Sequence, residues 1–155
     1  MYVVEVLERC AELASRIARL YRQLAERFPG DPEREKIWRE LALIEETHAE
    51  VLRQERESFQ EREESGDFLP EMGQRLDEAR EALANIEKRV AAARSIDEAA
   101  EAAIALEEVQ LEELYDDLVM QGDTSFRLVV ERLEASLAEK AEPSTAAARR
   151  RRRKS

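Results

Sequence analysis

The sequence has little of the material from which disulfides, turns and membrane spans are built. Its 155 residues include four glycines, four prolines, one cysteine and one histidine, and aromatic residues make up 5%. The single cysteine, Cys10, excludes a disulfide within the chain and fits a reducing compartment. No apolar run approaches the roughly 18 residues that a membrane span needs, and the first residues do not read as a signal peptide. We therefore expect a cytoplasmic protein without a membrane span.

Helix-forming and charged residues are what the chain has in abundance. Hydrophobic residues make up 43% and charged residues 39%. Ala, Leu, Glu and Arg are frequent, and these residues have high helix propensities. A chain of this length and composition predicts one nearly all-helical domain, followed here by a tail. We place the domain at residues 1–140 and the tail at residues 141–155.

Charge is unevenly placed along the chain. The net charge is −11, and a run near the C-terminus carries +6, so residues 1–148 carry −17. This run consists of Arg149, Arg150, Arg151, Arg152, Arg153 and Lys154. So acidic a body should repel nucleic acid and anionic membranes. The run would bind nucleic acid, an acidic protein or a lipid surface, fold back onto the acidic body, or remain a disordered solubility tail.

Apolar residues that recur every three or four positions predict four bundle helices and one crossover helix. The bundle helices are expected at residues 3–28, 32–64, 96–120 and 125–140, and the crossover helix at about residues 70–90. The short connection between the first two predicts an antiparallel hairpin. The expected inward stripe of the first helix runs from Val3 through Leu7 and Cys10 to Phe28, and that of the third includes Ala100, Ile104 and Glu108. Asp31 is expected to cap the second bundle helix, and Ser95 with Glu98 forms a capping box for the third. The apolar stripe of the crossover helix is a packing or a dimerising face.

The last part of the second bundle helix is almost wholly charged. Residues 53–64 contain one large apolar side chain, Phe59. Either this segment projects into solvent or it needs a partner for that ring. A solvated helix end is the simplest interpretation.

The candidate chemistry lies in the same helix. Glu45 and His48 form a Glu-x-x-His pair, and His48 is the single histidine of the chain. A separation of three residues places both side chains on one helix face. A carboxylate and an imidazole that face a core are costly unless they are paired or bind a metal.

The two halves of the chain resemble each other. A Leu-Tyr-x-x-Leu segment occurs at residues 20–24 and again at 114–118, and the Trp-x-x-Leu-Ala segment at residues 38–42 matches Phe-x-x-Val-Val at 126–130. With the Glu-x-x-His pair, these segments resemble the rubrerythrin-like branch of the ferritin-like superfamily, over residues 3–140. The resemblance implies an antiparallel four-helix bundle with a crossover helix between its second and third helices.

In that family, a glutamate stands seven residues before the tyrosine of the first and third helices, and a Glu-x-x-His pair lies on the second and fourth. The matching positions that keep a ligand are Glu45, His48 and Glu108. The matching positions that have lost it are Ala14, Leu133 and Ser136. A shifted alignment of the fourth helix would bring in Glu131 or Glu134, but no histidine. The Cys-x-x-Cys module of full rubrerythrins is also absent.

The resemblance thus predicts a rubrerythrin-like protein with an incomplete di-iron site. We expect a non-catalytic bundle that acts through a protein partner or as a homo-oligomer. The alternative is a redox or iron-handling protein that holds a single metal ion, iron by the resemblance, at Glu45, His48 and Glu108. These three side chains would otherwise form a buried hydrogen-bonded cluster. Cys10 is either a thiolate ligand that replaces the lost glutamate or a buried inert thiol.

Overall fold

The computed structural model describes residues 1–109, which form four helices joined by loops. They are α1 (Val3–Arg27), α2 (Pro32–Glu61), α3 (Met72–Ala92) and α4 (Ile96–Glu107). Within these residues the structure has no strand, apart from an isolated bridge between Tyr2 and Phe68. The prediction of an all-α protein is confirmed for this part of the chain. The third bundle helix was expected at residues 96–120, but the structure ends it at Glu107. Residues 110–120, the whole of the fourth expected helix and the basic tail lie outside the described residues.

The predicted helix starts are confirmed by their capping contacts. The Asp31 carboxylate accepts hydrogen bonds from two backbone N–H groups in the first turn of α2, at 3.1 and 3.3 Å. The Ser95 hydroxyl accepts from the backbone N–H of Glu98 at 3.2 Å. The Glu98 carboxylate accepts from the backbone N–H of Arg94 at 2.8 Å, one residue before the position that a capping box uses. These contacts satisfy N–H groups that have no partner within the helix.

The helix at the centre of the described residues is α1. Of its 25 residues, 13 are buried, which is more than a single apolar stripe supplies. It packs against α2, α3 and α4. The predicted inward stripe of α1 is buried up to Leu24, and a second set that includes Val6, Leu13 and Leu20 is buried as well. This second set is what lets α1 contact helices on several sides.

The first two helices form an antiparallel hairpin. Arg22 near the end of α1 pairs with Glu46 of α2, whereas Glu8 near the start of α1 pairs with Arg56, at 3.2 Å. A residue near the start of α1 thus pairs with a late residue of α2, and a residue near the end of α1 pairs with an earlier one. The two helices therefore run in opposite directions. The hairpin and its short connection were both expected from the sequence.

The next helix, α3, runs parallel to α1. Arg9 pairs with Asp77 at 3.4 Å, and Arg27, at the other end of α1, donates a hydrogen bond to the carbonyl oxygen of Ala93 at 2.8 Å. The chain is thereby returned to the end of the bundle where α2 begins. From there α4 packs against α3 and α1.

The charged end of α2 is docked rather than solvated, which corrects the simpler of the two interpretations. Phe59 is 7% exposed and belongs to the core cluster. The Arg62 guanidinium lies 4.8 Å from the centre of its ring. The loop at Gly66 closes over Val3, since a Cβ at Gly66 would lie 2.6 Å from the Val3 Cβ. The end of α2 is therefore docked at the start of α1, with the Phe59 ring in the core and the loop at Gly66 closed over Val3.

Candidate functional site

Glu45 and His48 lie side by side on the inward face of α2, as the sequence predicted. Their side chains are 3% and 10% exposed, and His48 Nδ1 lies 3.7 Å from Glu45 Oε2. This separation is within ion-pair range but too long for a hydrogen bond. Trp38 and Leu41 are buried one to two turns before the pair, and Leu52 one turn after it. The apolar face of α2 therefore carries the pair into the core.

The hairpin register brings a buried tyrosine of α1 to about the level of this pair. Tyr21 precedes Arg22, whose partner Glu46 follows Glu45. The Tyr21 side chain is 2% exposed. The site itself consists of the Glu45 carboxylate and the His48 imidazole, and the Tyr21 phenol is buried at a similar height on the neighbouring helix. Such a set can exchange hydrogen bonds, and it supplies one nitrogen and one carboxylate toward a metal.

The third predicted ligand, Glu108, is not brought to the pair. It is an exposed residue that caps the C-terminal end of α4. Its backbone N–H bonds to the carbonyl oxygens of Ile104 and Ala105, at 3.3 and 3.2 Å. Among residues 1–109 no group of three His, Cys, Asp or Glu side chains could hold a metal ion. Of the three predicted metal ligands, the structure brings two together and leaves the third at the surface.

The orientation of α4 explains the position of Glu108. The predicted stripe contained Ala100, Ile104 and Glu108, but Ile104 is 51% exposed. The residues that α4 buries are Ala99, Ala102, Ala103 and Leu106. In so alanine-rich a helix, two neighbouring faces are almost equally apolar, so periodicity does not decide between them.

Cys10 is a buried, protonated thiol. Its side chain is fully buried on α1. Burial raises the pKa of the Cys10 thiol to about 12, against a smaller lowering by the Arg75 guanidinium. A metal-binding thiolate needs the opposite shift. Of the two interpretations of Cys10, the structure favours the inert thiol.

A second polar site, which was not predicted from the sequence, is a groove on the surface between α1 and α2. Four arginines line it: Arg16 and Arg19 of α1, and Arg53 and Arg56 of α2. We call it the arginine groove, and its volume is about 450 Å³. The available signal was the spacing, because each pair is separated by three residues on helices expected to form a hairpin. The charge run that begins at residue 53 was instead assigned to solvent.

Comparison with known proteins identifies no relative. The sequence matches no protein family, no curated protein and no solved structure. The class of protein is therefore defined by the structure alone, as an all-helical protein over residues 1–109. None of the four described helices is long and apolar enough to cross a membrane.

Proposed function

We propose that this chain is a non-catalytic helical bundle of the rubrerythrin-like type, in which the di-iron site has been reduced to a buried polar pair. It would act through a protein partner or as a homo-oligomer. The observation that carries this proposal is the separation of the predicted ligands. Glu45 and His48 share the interior, whereas Glu108 is exposed at the end of α4.

The donor set of residues 1–109 does not fit a di-iron centre. Two irons need several carboxylates and a nitrogen or further carboxylate for each ion. The described residues offer Glu45 and His48 together, and the position of the lost glutamate in α1 is the buried Ala14. Two features of the structure support a bundle of this type. The first is the antiparallel hairpin of α1 and α2, and the second is α3, which runs parallel to α1 and returns the chain to the other end of the bundle.

A single metal ion is the competing proposal, and the buried Glu45–His48 pair is the observation that favours it. This pair would supply one carboxylate and one imidazole. Among the described residues, a third ligand would have to come from Glu108, after a movement of the end of α4. Outside them, the shifted alignment of the fourth helix offers Glu131 or Glu134, and solvent would fill the remaining positions. Binding through so few protein ligands would be weak.

Elemental analysis after iron titration of the full-length protein tests both proposals. Our proposal expects no tightly bound iron and no ferroxidase or peroxidase turnover. Two equivalents of tightly bound iron per chain, with an oxo-bridge absorption band, would contradict it. Sedimentation velocity distinguishes the two modes of action, because a homo-oligomer supports self-association, whereas a monomer leaves a protein partner as the mode.

Matched variants distinguish the single-ion proposal from adventitious binding. If one ion binds at the pair, Glu45→Gln and His48→Ala should each release it, whereas Glu46→Gln should not. Glu46 is the adjacent carboxylate, and it pairs with Arg22. Release of the ion by Glu108→Gln as well would show that the C-cap residue of α4 reaches the site.

A further inference from the structure

We propose that the arginine groove binds a small oxyanion, a phosphate or carboxylate group of a soluble molecule, mainly through Arg19 and Arg53. Neither residue belongs to the Glu45–His48 pair. This inference therefore does not depend on the function proposed above.

Two of the four arginines already have carboxylate partners. Arg56 lies 3.2 Å from the Glu8 carboxylate, on the opposite wall of the groove. Arg16 makes a two-pronged ion pair with Glu87 of α3, and its Nε donates at 3.3 Å. These contacts hold the two side chains in place, and the partner carboxylates compensate most of their positive charge. They therefore act as walls of the groove rather than as ligand-binding groups.

The other two arginines have no carboxylate within ion-pair distance among the described residues. Arg53 Nη2 donates to the neutral hydroxyl oxygen of Ser15 at 2.6 Å, so this contact does not compensate the positive charge of the guanidinium. Arg19 makes no ion pair or hydrogen bond within residues 1–109, and it lines the same groove. The groove thus presents two uncompensated guanidinium groups, one from each helix.

Guanidinium groups in this arrangement favour oxyanions. The planar fork of donors matches two oxygens of a phosphate or carboxylate, and such charge-assisted bonds are stronger than neutral ones. The Ser15 hydroxyl accepts from Arg53 and keeps its own proton, which it can donate to a ligand oxygen. A volume of about 450 Å³ is in the range of small-molecule sites and exceeds the size of a single inorganic ion.

Two features of the protein oppose anion binding and set its strength. Glu12 lines the groove and has no ion-pair partner among the described residues. The body of the chain, residues 1–148, carries −17. Both repel an anion, and at physiological ionic strength charges more than about 8 Å away are largely screened. We therefore expect binding that weakens as salt is raised, and that strengthens when Glu12 is neutralised.

Calorimetric titration of the full-length protein with inorganic phosphate, pyrophosphate and citrate, at a fixed ionic strength of about 0.15 M, tests the inference. Phosphate and pyrophosphate report on phosphoryl groups, and citrate on carboxylates. Arg19→Gln and Arg53→Gln should each weaken binding of the probe about three- to tenfold, and the double variant should weaken it about ten- to a hundredfold. Glu12→Gln should strengthen it. Circular dichroism melting checks that each variant remains folded.

Arg9→Gln is the matched control. Arg9 lies on the same helix α1, and its substitution removes the same charge, but it pairs with Asp77 away from the groove. It should change binding by less than about twofold, because an exposed charge outside the site is screened. Failure of all three probes to bind the wild-type protein would overturn the inference. Equal weakening by Arg9→Gln would also overturn it, by showing a response to net charge alone.

Discussion

The hairpin of α1 and α2 carries two polar sites that differ in their surroundings. The Glu45–His48 pair lies in the core with side chains 3% and 10% exposed, whereas the arginine groove is open to solvent. Ionisable groups in the core must be satisfied by the protein itself, because their desolvation is costly. Groups in the groove remain hydrated, so two of them can keep a charge without a protein partner. The buried site is thus suited to a structural role, and the open one to a ligand.

The largest effect should come from the core that surrounds the buried pair. Leu41 is 2% exposed, so Leu41→Ala should lower the free energy of unfolding by about 2–5 kcal/mol, through lost burial and the cavity left behind. Leu43 is 51% exposed on the same helix, and Leu43→Ala should cost at most about 0.5 kcal/mol. Urea unfolding of both variants measures the difference. Equal losses would mean that α2 faces the core differently.

The pair itself should show coupling between its two members. His48→Leu or Glu45→Leu alone removes one partner of a buried polar pair, which should cost about 1–3 kcal/mol. The double variant replaces both groups by apolar side chains, and it should be nearly as stable as the wild type or more stable. A double-mutant cycle from urea unfolding gives the coupling. If the two single losses add up in the double variant, the pair contributes nothing as a unit.

The docking of the end of α2 should be sensitive to Gly66. This residue has φ +76°, and a Cβ there would lie 2.6 Å from the Val3 Cβ. Gly66→Ala should therefore cost about 1–3 kcal/mol and loosen the contact between Phe59 and the start of α1. Gly30→Ala is the control, because a Cβ at Gly30 meets no atom within 4 Å. Equal thermal stability of the two variants would show that this loop does not hold α2 in place.

The smallest effect on stability should come from the groove. Arg53 is exposed, and its described hydrogen bond is to the neutral Ser15 hydroxyl. Arg53→Gln should leave the free energy of unfolding within about 0.5 kcal/mol of the wild type. The same change should weaken oxyanion binding, so stability and binding separate at this residue. A loss of stability as large as that of Leu41→Ala would make Arg53 a structural residue instead.

The features predicted correctly from the sequence are those decided by residues close together in the chain. Asp31 and Ser95 start helices because their side chains accept from N–H groups that the helix leaves free. The apolar residues of the α1 stripe share one face because they recur every three or four positions. Glu45 and His48 share a face because a helix has about 3.6 residues per turn. None of these properties depends on the position of another helix.

The errors fall where a second helix or a loop decides the outcome. The charged composition after residue 53 suggested a helix end in solvent, although Phe59 lies within it. Phe59 is buried beside Val3, which is distant in sequence, and beside the loop at Gly66. Glu108 was assigned to an inward stripe, but α4 buries the neighbouring face of alanines. The fourth bundle helix and the basic tail lie outside the described residues, so those expectations remain predictions.

By itself, the sequence determined the helical character of this protein, its hairpin, its caps and the adjacency of Glu45 and His48. These follow from backbone geometry and from contacts within a few residues. Only the tertiary structure decided that Glu108 is exposed and that Arg19 and Arg53 line one groove. Periodicity defines which residues share a face of a helix, but packing decides what that face meets. Packing depends on the whole set of buried side chains, because each helix rotates to bury the most apolar surface.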